Sequence, residues 1–378
     1  MYAGMGSTSL NHRDLIFQSV VLVVVTMVII SVISSTRTNL EELGLSSGFA
    51  FLERATGWSY SFSLIDKSVD DPYQLTLFIG FLNSLFVGLV SIVFATLLGF
   101  AVGAARDGKN VALKAFATVH IQIFRNIPLI LQVVFWYAIF IHMPGPRQAI
   151  EFFDMFFISN RGLMIPWLNL PGWTVLLIVA VLGASGYFVN RYKSLSWYVR
   201  LLLWVVSGCL VLWLAKALFT PLNEPLFTIP ELKGLRFRDG LQVPVELVAM
   251  IVSIVLYGSA YIAEVVRGGL QEVPKGLIEA GNALGLSERT IWFRIKLPMA
   301  LSTIIPPLGN QWIFLMKATT IGVAIGFSDL FMIVSTSITQ SGQTLELIGI
   351  LMAAFLLINY CIAQCSNFLN RKFQLPGR

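Results

Sequence analysis

Of the 378 residues, 56% belong to the hydrophobic set and only 12% are charged, giving a mean hydropathy of +0.77. Soluble domains carry roughly 25% charged residues, so a water-soluble fold is excluded. The net charge of +6 would suit nucleic acid or an anionic surface, but the positions of the basic residues follow membrane topology instead.

The apolar residues arrive in runs of about 20, the length a helix needs to cross about 30 Å of hydrocarbon. The first run, Leu15 to Ser34, follows a weakly basic start at His12 and Arg13. It exceeds the roughly 7–15 apolar residues of a signal peptide and lacks a clear small-residue cleavage pattern, so it reads as a retained anchor. Further runs are Leu75 to Ala105, Val119 to Ile141, Thr174 to Val189, Tyr198 to Phe219, Val243 to Val266, Thr303 to Ile325 and Leu345 to Leu369, giving eight expected spans. The expected fold is therefore an all-α membrane protein, a polytopic helical bundle.

Placing the segment from Arg267 to Pro298 in the cytoplasm assigns every other loop by alternation and lets the positive-inside rule test the result. Arg13, Arg106, Lys109, Lys114, Arg191, Lys193, Arg267, Lys275, Arg289, Arg294, Lys296, Arg371, Lys372 and Arg378 fall inside. Arg37, Arg54, Lys67, Arg147, Arg161, Lys233, Arg236 and Arg238 fall outside, a balance of 14 to 8, with Arg125, Arg200, Lys216 and Lys317 in or near the membrane. Both termini are expected in the cytoplasm. The longer outside segments, such as Asp66 to Pro72 and Thr220 to Pro225, hold turn formers and mixed charge and read as external loops with no domain of their own.

Three apparent chemical motifs do not survive inspection. Cys361 and Cys365 stand one helical turn apart with no neighbouring His, which suits apolar packing better than a metal. Gly103 to Lys109 has phosphate-loop spacing, but Asn110 occupies the Ser/Thr position and a membrane helix precedes it where a strand is required. Gly183-Ala184-Ser185-Gly186 resembles the serine motif of intramembrane proteases, yet no His follows His142, which lies toward the opposite end of another span. Small-residue helix packing is the better account.

The segment between the sixth and seventh spans is different. Pro274 opens a helix of good formers, Gly285 permits the backbone reversal that ends it, and Ser287 caps a second helix with Glu288 in its first turn. Pro298 is expected to break the chain before it re-enters the membrane. A cytoplasmic loop of about thirty residues with two short helices is usually a partner contact.

Its sequence, Glu279-Ala280-Gly281, three residues, Gly285, nine residues, Ile295-Lys296-Leu297-Pro298, resembles the EAA loop of bacterial ATP-binding-cassette importer permeases, with Gly281 where the family usually has a second Ala. Tyr261-Ile262-Ala263-Glu264-Val265-Val266-Arg267-Gly268-Gly269, Phe124 to Leu129, and Asn310-Gln311 through Lys317-Ala318-Thr319-Thr320 are similar to the polar amino-acid branch, the histidine/glutamine/glutamate permeases. Ala318 departs from the acidic or polar residue expected after the lysine. The resemblance covers roughly Tyr73 to Met143 and Val243 to Arg371, and the extra first span and inserted pair look like the larger subunits of general L-amino-acid importers.

The resemblance implies a type I importer fold with a five-helix core, divided as 1–72 (anchor and external loop), 73–143 (first core part), 144–242 (insertion with two spans) and 243–378 (second core part, with coupling loop 274–298). It assigns ATPase coupling to Glu279, Ala280, Gly281, Gly285, Leu286, Ile295, Leu297 and Pro298. It implies a homologous second permease, two cytoplasmic ATPases that hold the ATP and Mg, an external solute-binding protein and an L-amino acid substrate, leaving no cofactor in this chain. The polar residues Arg125, Asn126 and Gln132, with Asn310, Gln311, Lys317, Thr319 and Thr320, are the candidates for the substrate path. An ion-coupled secondary transporter is the alternative; it would carry paired intramembrane acids and inverted repeats, whereas Glu246, Glu264 and Asp329 are scattered.

Overall fold

Apolar runs of spanning length satisfy their own backbone only as helix, and all eight lie in or largely in helix. The computed structural model describes residues 12–42, 48–60, 62–65, 67–170, 172–191, 196–219, 225–234 and 236–373. The first helix, α1 (His12–Glu42), is apolar on all sides and its described side chains are exposed. A 3-10 turn (Ala50–Glu53) and a largely irregular segment lead into α2 (Tyr73–Asp107). Small residues line the buried stripe of α2; a Cβ on Gly99 would stand 2.7 Å from Ile262 Cβ, and one on Gly103 2.7 Å from Ala263 O.

The third run is not one straight span. It is divided between α3 (Val111–Asn126) and α4 (Leu129–Ile141), which meet at 104°. Pro128 lacks an N–H and pushes Ile127 into extended backbone (φ −94°, ψ 125°), so the helix stops there. Buried Gln132 repairs the break, its Nε2 donating to Phe124 O (3.0 Å) and Ile127 O (2.9 Å).

The segment between α4 and α7, expected to hold external loops, holds more structure than loops. Strands β1 (Ile150–Phe152), β2 (Phe156–Ser159), β3 (Gly162–Ile165) and β4 (Trp167–Leu168) precede α5 (Gly172–Arg191) and α6 (Trp197–Phe219). Then come β5 (Phe227–Thr228), β6 (Glu231–Lys233), β7 (Arg236–Arg238) and β8 (Leu241–Val243). The order β1-β2-β3-β8 forms an antiparallel four-stranded sheet, with Leu163 opposite Val243. Strands this short, paired across two intervening membrane helices, leave little local signal. Helices α5 and α6 pack on each other, where Gly186 admits Trp204, whose Nε1 donates to Leu182 O (3.1 Å). Ser185 Oγ donates to Leu182 O at 2.9 Å, as a packing serine does.

The strand β8 runs through Pro244 into α7 (Val245–Gln271). Two short helices follow, α8 (Lys275–Ala283) and α9 (Glu288–Ile291), and then α10 (Leu297–Ala318). A 3-10 turn (Thr319–Ile325) ends at left-handed Gly326, after which α11 (Leu330–Ser341) bends back by 50° and α12 (Thr344–Phe373) closes the chain. The bend and α11 extend the seventh run beyond Ile325. Asp329 begins α11 as a cap, its Oδ1 accepting from Met332 N at 2.9 Å. The main core joins α2, α4, α7, α10 and α12 through Val87, Val133, Met250, Ile254, Met316 and Ile358, with Phe327 from the bend before α11.

By length and composition, α2, α6, α7 and α12 can each cross a membrane, and the two bent pairs bring the spans to six among the described residues. The described apolar stretches in α1 and α5, Ile16–Val32 and Ala180–Val189, are shorter, so the spans shown are four to six where the sequence led us to expect eight.

Candidate coupling site and translocation path

The candidate coupling loop is built from local backbone rules. Pro274 precedes α8, and the helix ends where Leu284 N donates to Ala280 O (3.0 Å) and Leu286 N to Gly281 O (3.1 Å). This reversal needs Gly285 at φ +71°, open to glycine and costly to other residues. Ser287 Oγ then accepts from Thr290 N at 3.3 Å and starts α9. Gly281 is buried, and a Cβ there would stand 3.1 Å from Ile291 Cγ1 and 3.4 Å from Ile295 Cδ1. The glycine that departs from the usual EAA pattern thus sits where α8 closes on the following helix.

Pro298 does not break the chain. A π-helical stretch, Trp292–Lys296, carries α9 directly into α10, and Pro298 falls in the first turn of α10. The wider turn shifts the hydrogen-bond register that the proline ring would otherwise crowd, so helix continues through it. Ile295 and Leu297 are half-buried along this stretch, whereas Glu279, Ala280 and Leu286 face outward.

Sequence reasoning missed the apolar side chains uncovered on this loop. Leu284 is 79% and Phe293 57% exposed, with Leu277 and Leu286 beside them in the sequence and also exposed. Two ion pairs fasten the loop to the end of α2. Lys296 Nζ reaches Asp107 Oδ2 at 2.5 Å, and Lys109 pairs with Glu288. The hydrogen bond from Lys109 holds the Glu288 carboxyl below its usual range.

Above the loop, Glu264 gathers three guanidinium groups. It pairs with Arg106 of α2, with Arg125 of α3 at 3.3 Å and with Arg267 one turn along α7 at 2.9 Å. Arg125 also lies over the Tyr261 ring, 5.1 Å from its centroid. The structure thus gives Arg125 an anchoring environment at the α3–α7 contact. Asn126 is exposed and bonds to Gln122 O (2.8 Å), and Gln132 braces the Pro128 break.

The α10 candidates lie elsewhere. Asn310 and Lys317 are seven residues apart on one face, which also carries exposed Pro306, Pro307 and Phe314; this chain leaves that face open. Gln311 is half-buried. The change from α to 3-10 geometry after Ala318 takes Thr319 inward, where its Oγ1 donates to Met316 O (2.9 Å), while Thr320 donates to Lys317 O (2.8 Å). Among the described residues, two acids that could pair with a membrane lysine are engaged elsewhere: Glu264 by arginines and Asp329 by the α11 backbone.

The profile of the binding-protein-dependent transport system inner membrane component family matches residues 182–374. The chain belongs to this family. The permease is 36% identical over 380 residues to the putative amino-acid ABC transporter permease protein YhdX of Escherichia coli (strain K12), covering 97% of this chain and 95% of that one. It is 30% identical to the general L-amino acid transport system permease protein AapQ of Rhizobium johnstonii, covering 97% and 94%. A crystal structure of an amino acid ABC transporter with histidines is 16% identical, covers 79% of this chain and 95% of that chain, and superposes with a TM-score of 0.48. Family membership makes the permease a multi-pass, membrane-spanning transport component and sets aside the ion-coupled carrier.

Proposed function

We propose that this permease carries L-amino acids across the inner membrane as one half of an ATP-binding-cassette importer, driven through its 274–298 loop by a separate ATPase. The observation that carries this reading is the capped α8–Gly285–α9 unit with Leu277, Leu284, Leu286 and Phe293 uncovered on it. Exposed apolar side chains on a water-facing loop mark a protein contact. The names of the full-length relatives support the substrate class. A homologous second permease, two ATPases that bind ATP and Mg, and an external solute-binding protein complete the assembly.

Binding and hydrolysis of ATP move the docked loops, and the two ion pairs to α2 pass that movement to the bundle, which alternates between inward-open and outward-open states. In this reading both termini and the coupling loop are cytoplasmic. Cysteines placed at Lys275 or Ser287 are expected to resist a membrane-impermeant thiol reagent in intact cells and to react in broken ones. Labelling from outside would refute the orientation.

The open face of α10 is the proposed path lining. Lys317 attracts the substrate carboxylate, with Asn310, Gln311, Thr319 and Thr320 near it in sequence; Arg125, Asn126 and Gln132 support the neighbouring break. Lys317 stands in the last turn of α10; a lysine within a membrane segment costs up to about 2.5–3.5 kcal/mol on insertion scales and ordinarily faces a bundle interior or water. Lys317→Met keeps the length and removes the charge, and is expected to cut uptake about tenfold or more in an assembled complex, the loss of one charged hydrogen bond. Normal uptake would exclude the substrate role, and loss of assembly would assign Lys317 to the subunit contact.

A further inference from the structure

The sheet ends in a hairpin whose tip is costly to form and exposed. Phe152 O accepts from Met155 N at 3.3 Å, closing a turn whose central residues, Phe153 (φ +56°) and Asp154 (φ +54°), are both left-handed. Such turns favour Asn and Gly, and a phenylalanine there is strained. Phe153 is nevertheless 85% exposed, and Phe152, Met155 and Phe156 around it are exposed as well. Among the described residues, no ring or hydrogen-bond partner holds the Phe153 side chain in that conformation.

The register shows which way the tip points. At the opposite end of the sheet, Asn160 N donates to Pro144 O at 2.9 Å, and Gly162 lies tight against Val243 O and Pro244. That end is pinned where the chain leaves α4 and where it enters α7. Because β1 and β2 are antiparallel, with Phe152 opposite Phe156, the Phe153 tip stands about four residues away at about 3.4 Å each, directed away from those two points. Glu151 and Asp154 flank the rings, and the neighbouring Asp154 pushes the Glu151 carboxyl above its usual range. No Lys or Arg occurs between Arg147 and Arg161. An acidic, base-free tip is unlike segments that settle on anionic lipid, which are rich in Lys and Arg.

We infer that the β1–β2 tip is a docking contact for the external solute-delivering protein, Phe153 entering an apolar recess whose rim is basic, opposite Glu151 and Asp154. This rests on the importer reading above. Exposed aromatic anchors of this kind dominate protein contacts, and the strain is what keeps the ring presented.

The test uses the assembled transporter in lipid nanodiscs with its purified solute-binding protein. Phe153→Gly removes the ring and suits the left-handed backbone, so the hairpin is retained. It is expected to raise the half-saturating concentration of binding protein for stimulated ATP hydrolysis about tenfold, the loss of one anchor, with the same yield of assembled complex. Glu151→Lys is expected to raise it too and to weaken its salt dependence. An unchanged half-saturation in both variants overturns the inference. So does loss of assembly in Phe153→Gly, which would place the tip against the second permease, or extra quenching of Phe153→Trp over wild type by brominated lipids, which would place it in the bilayer. If binding protein does not stimulate the wild-type complex, the importer reading itself fails, a separate result.

Discussion

Gly285→Val is expected to abolish transport and solute-stimulated ATP hydrolysis together while the assembled complex is still recovered. A Cβ at Gly285 meets nothing within 4 Å, so there is no clash with a neighbour and the whole cost lies in the backbone. Holding an L-residue at φ +71° costs roughly 1–2 kcal/mol, and a β-branched one more. A loop of two short helices has little core of its own to oppose that cost, so α8 and α9 would relax to a different angle. Gly285→Asn is the control, because asparagine visits the left-handed region readily; it should retain most of both activities. Uptake and ATP hydrolysis measured on the same reconstituted preparations decide the matter. Survival of both in Gly285→Val would mean that the turn is not where force is passed.

Replacing Glu264 by Ala is expected to lower the yield of assembled permease severalfold and to destabilise what remains. The variant leaves Arg106, Arg125 and Arg267 facing one another without their shared carboxylate. Removing one partner of a buried pair costs about 3–5 kcal/mol. The side chain here keeps 20% exposure and Arg125 41%, so solvent reduces the figure to about 2–3 kcal/mol. The double variant Glu264→Ala with Arg125→Met should recover part of the loss, since it removes one uncompensated charge. Thermal unfolding in detergent, followed for both variants, is the check, and equal stability of Glu264→Ala and wild type would show that solvent already neutralises the cluster.

Local chemistry made the 274–298 loop readable: Pro274 before α8, Gly285 in the reversal and Ser287 as a cap each act within a few residues, and the structure bears out each of these local features. Pro298 misled because a proline's effect depends on the turn before it, and the π-helical stretch Trp292–Lys296 is not encoded by any one residue. Pro128, preceded by no such stretch, does break its helix. Asp329 followed by an apolar run was a cap signal for α11 that the span count passed over.

The exposed apolar residues of the loop, the arginine cluster and the hairpin tip share another property. Leu284 reads as an ordinary helix residue until burial shows it uncovered, and Arg106 and Glu264 stand 158 residues apart.

What the sequence determined by itself was the class of solvent, the number of apolar runs and the local turns and caps of the 274–298 loop. All of these follow from transfer energies and backbone preferences that act residue by residue or over one helical turn. The tertiary structure alone decided that Glu264 serves three arginines, that β8 closes a sheet with β3 across two membrane helices, and that one face of α10 stays open. Those depend on which helices pack together, and between helices that are apolar on most sides the choice is made by shape and small-residue contacts rather than by pattern.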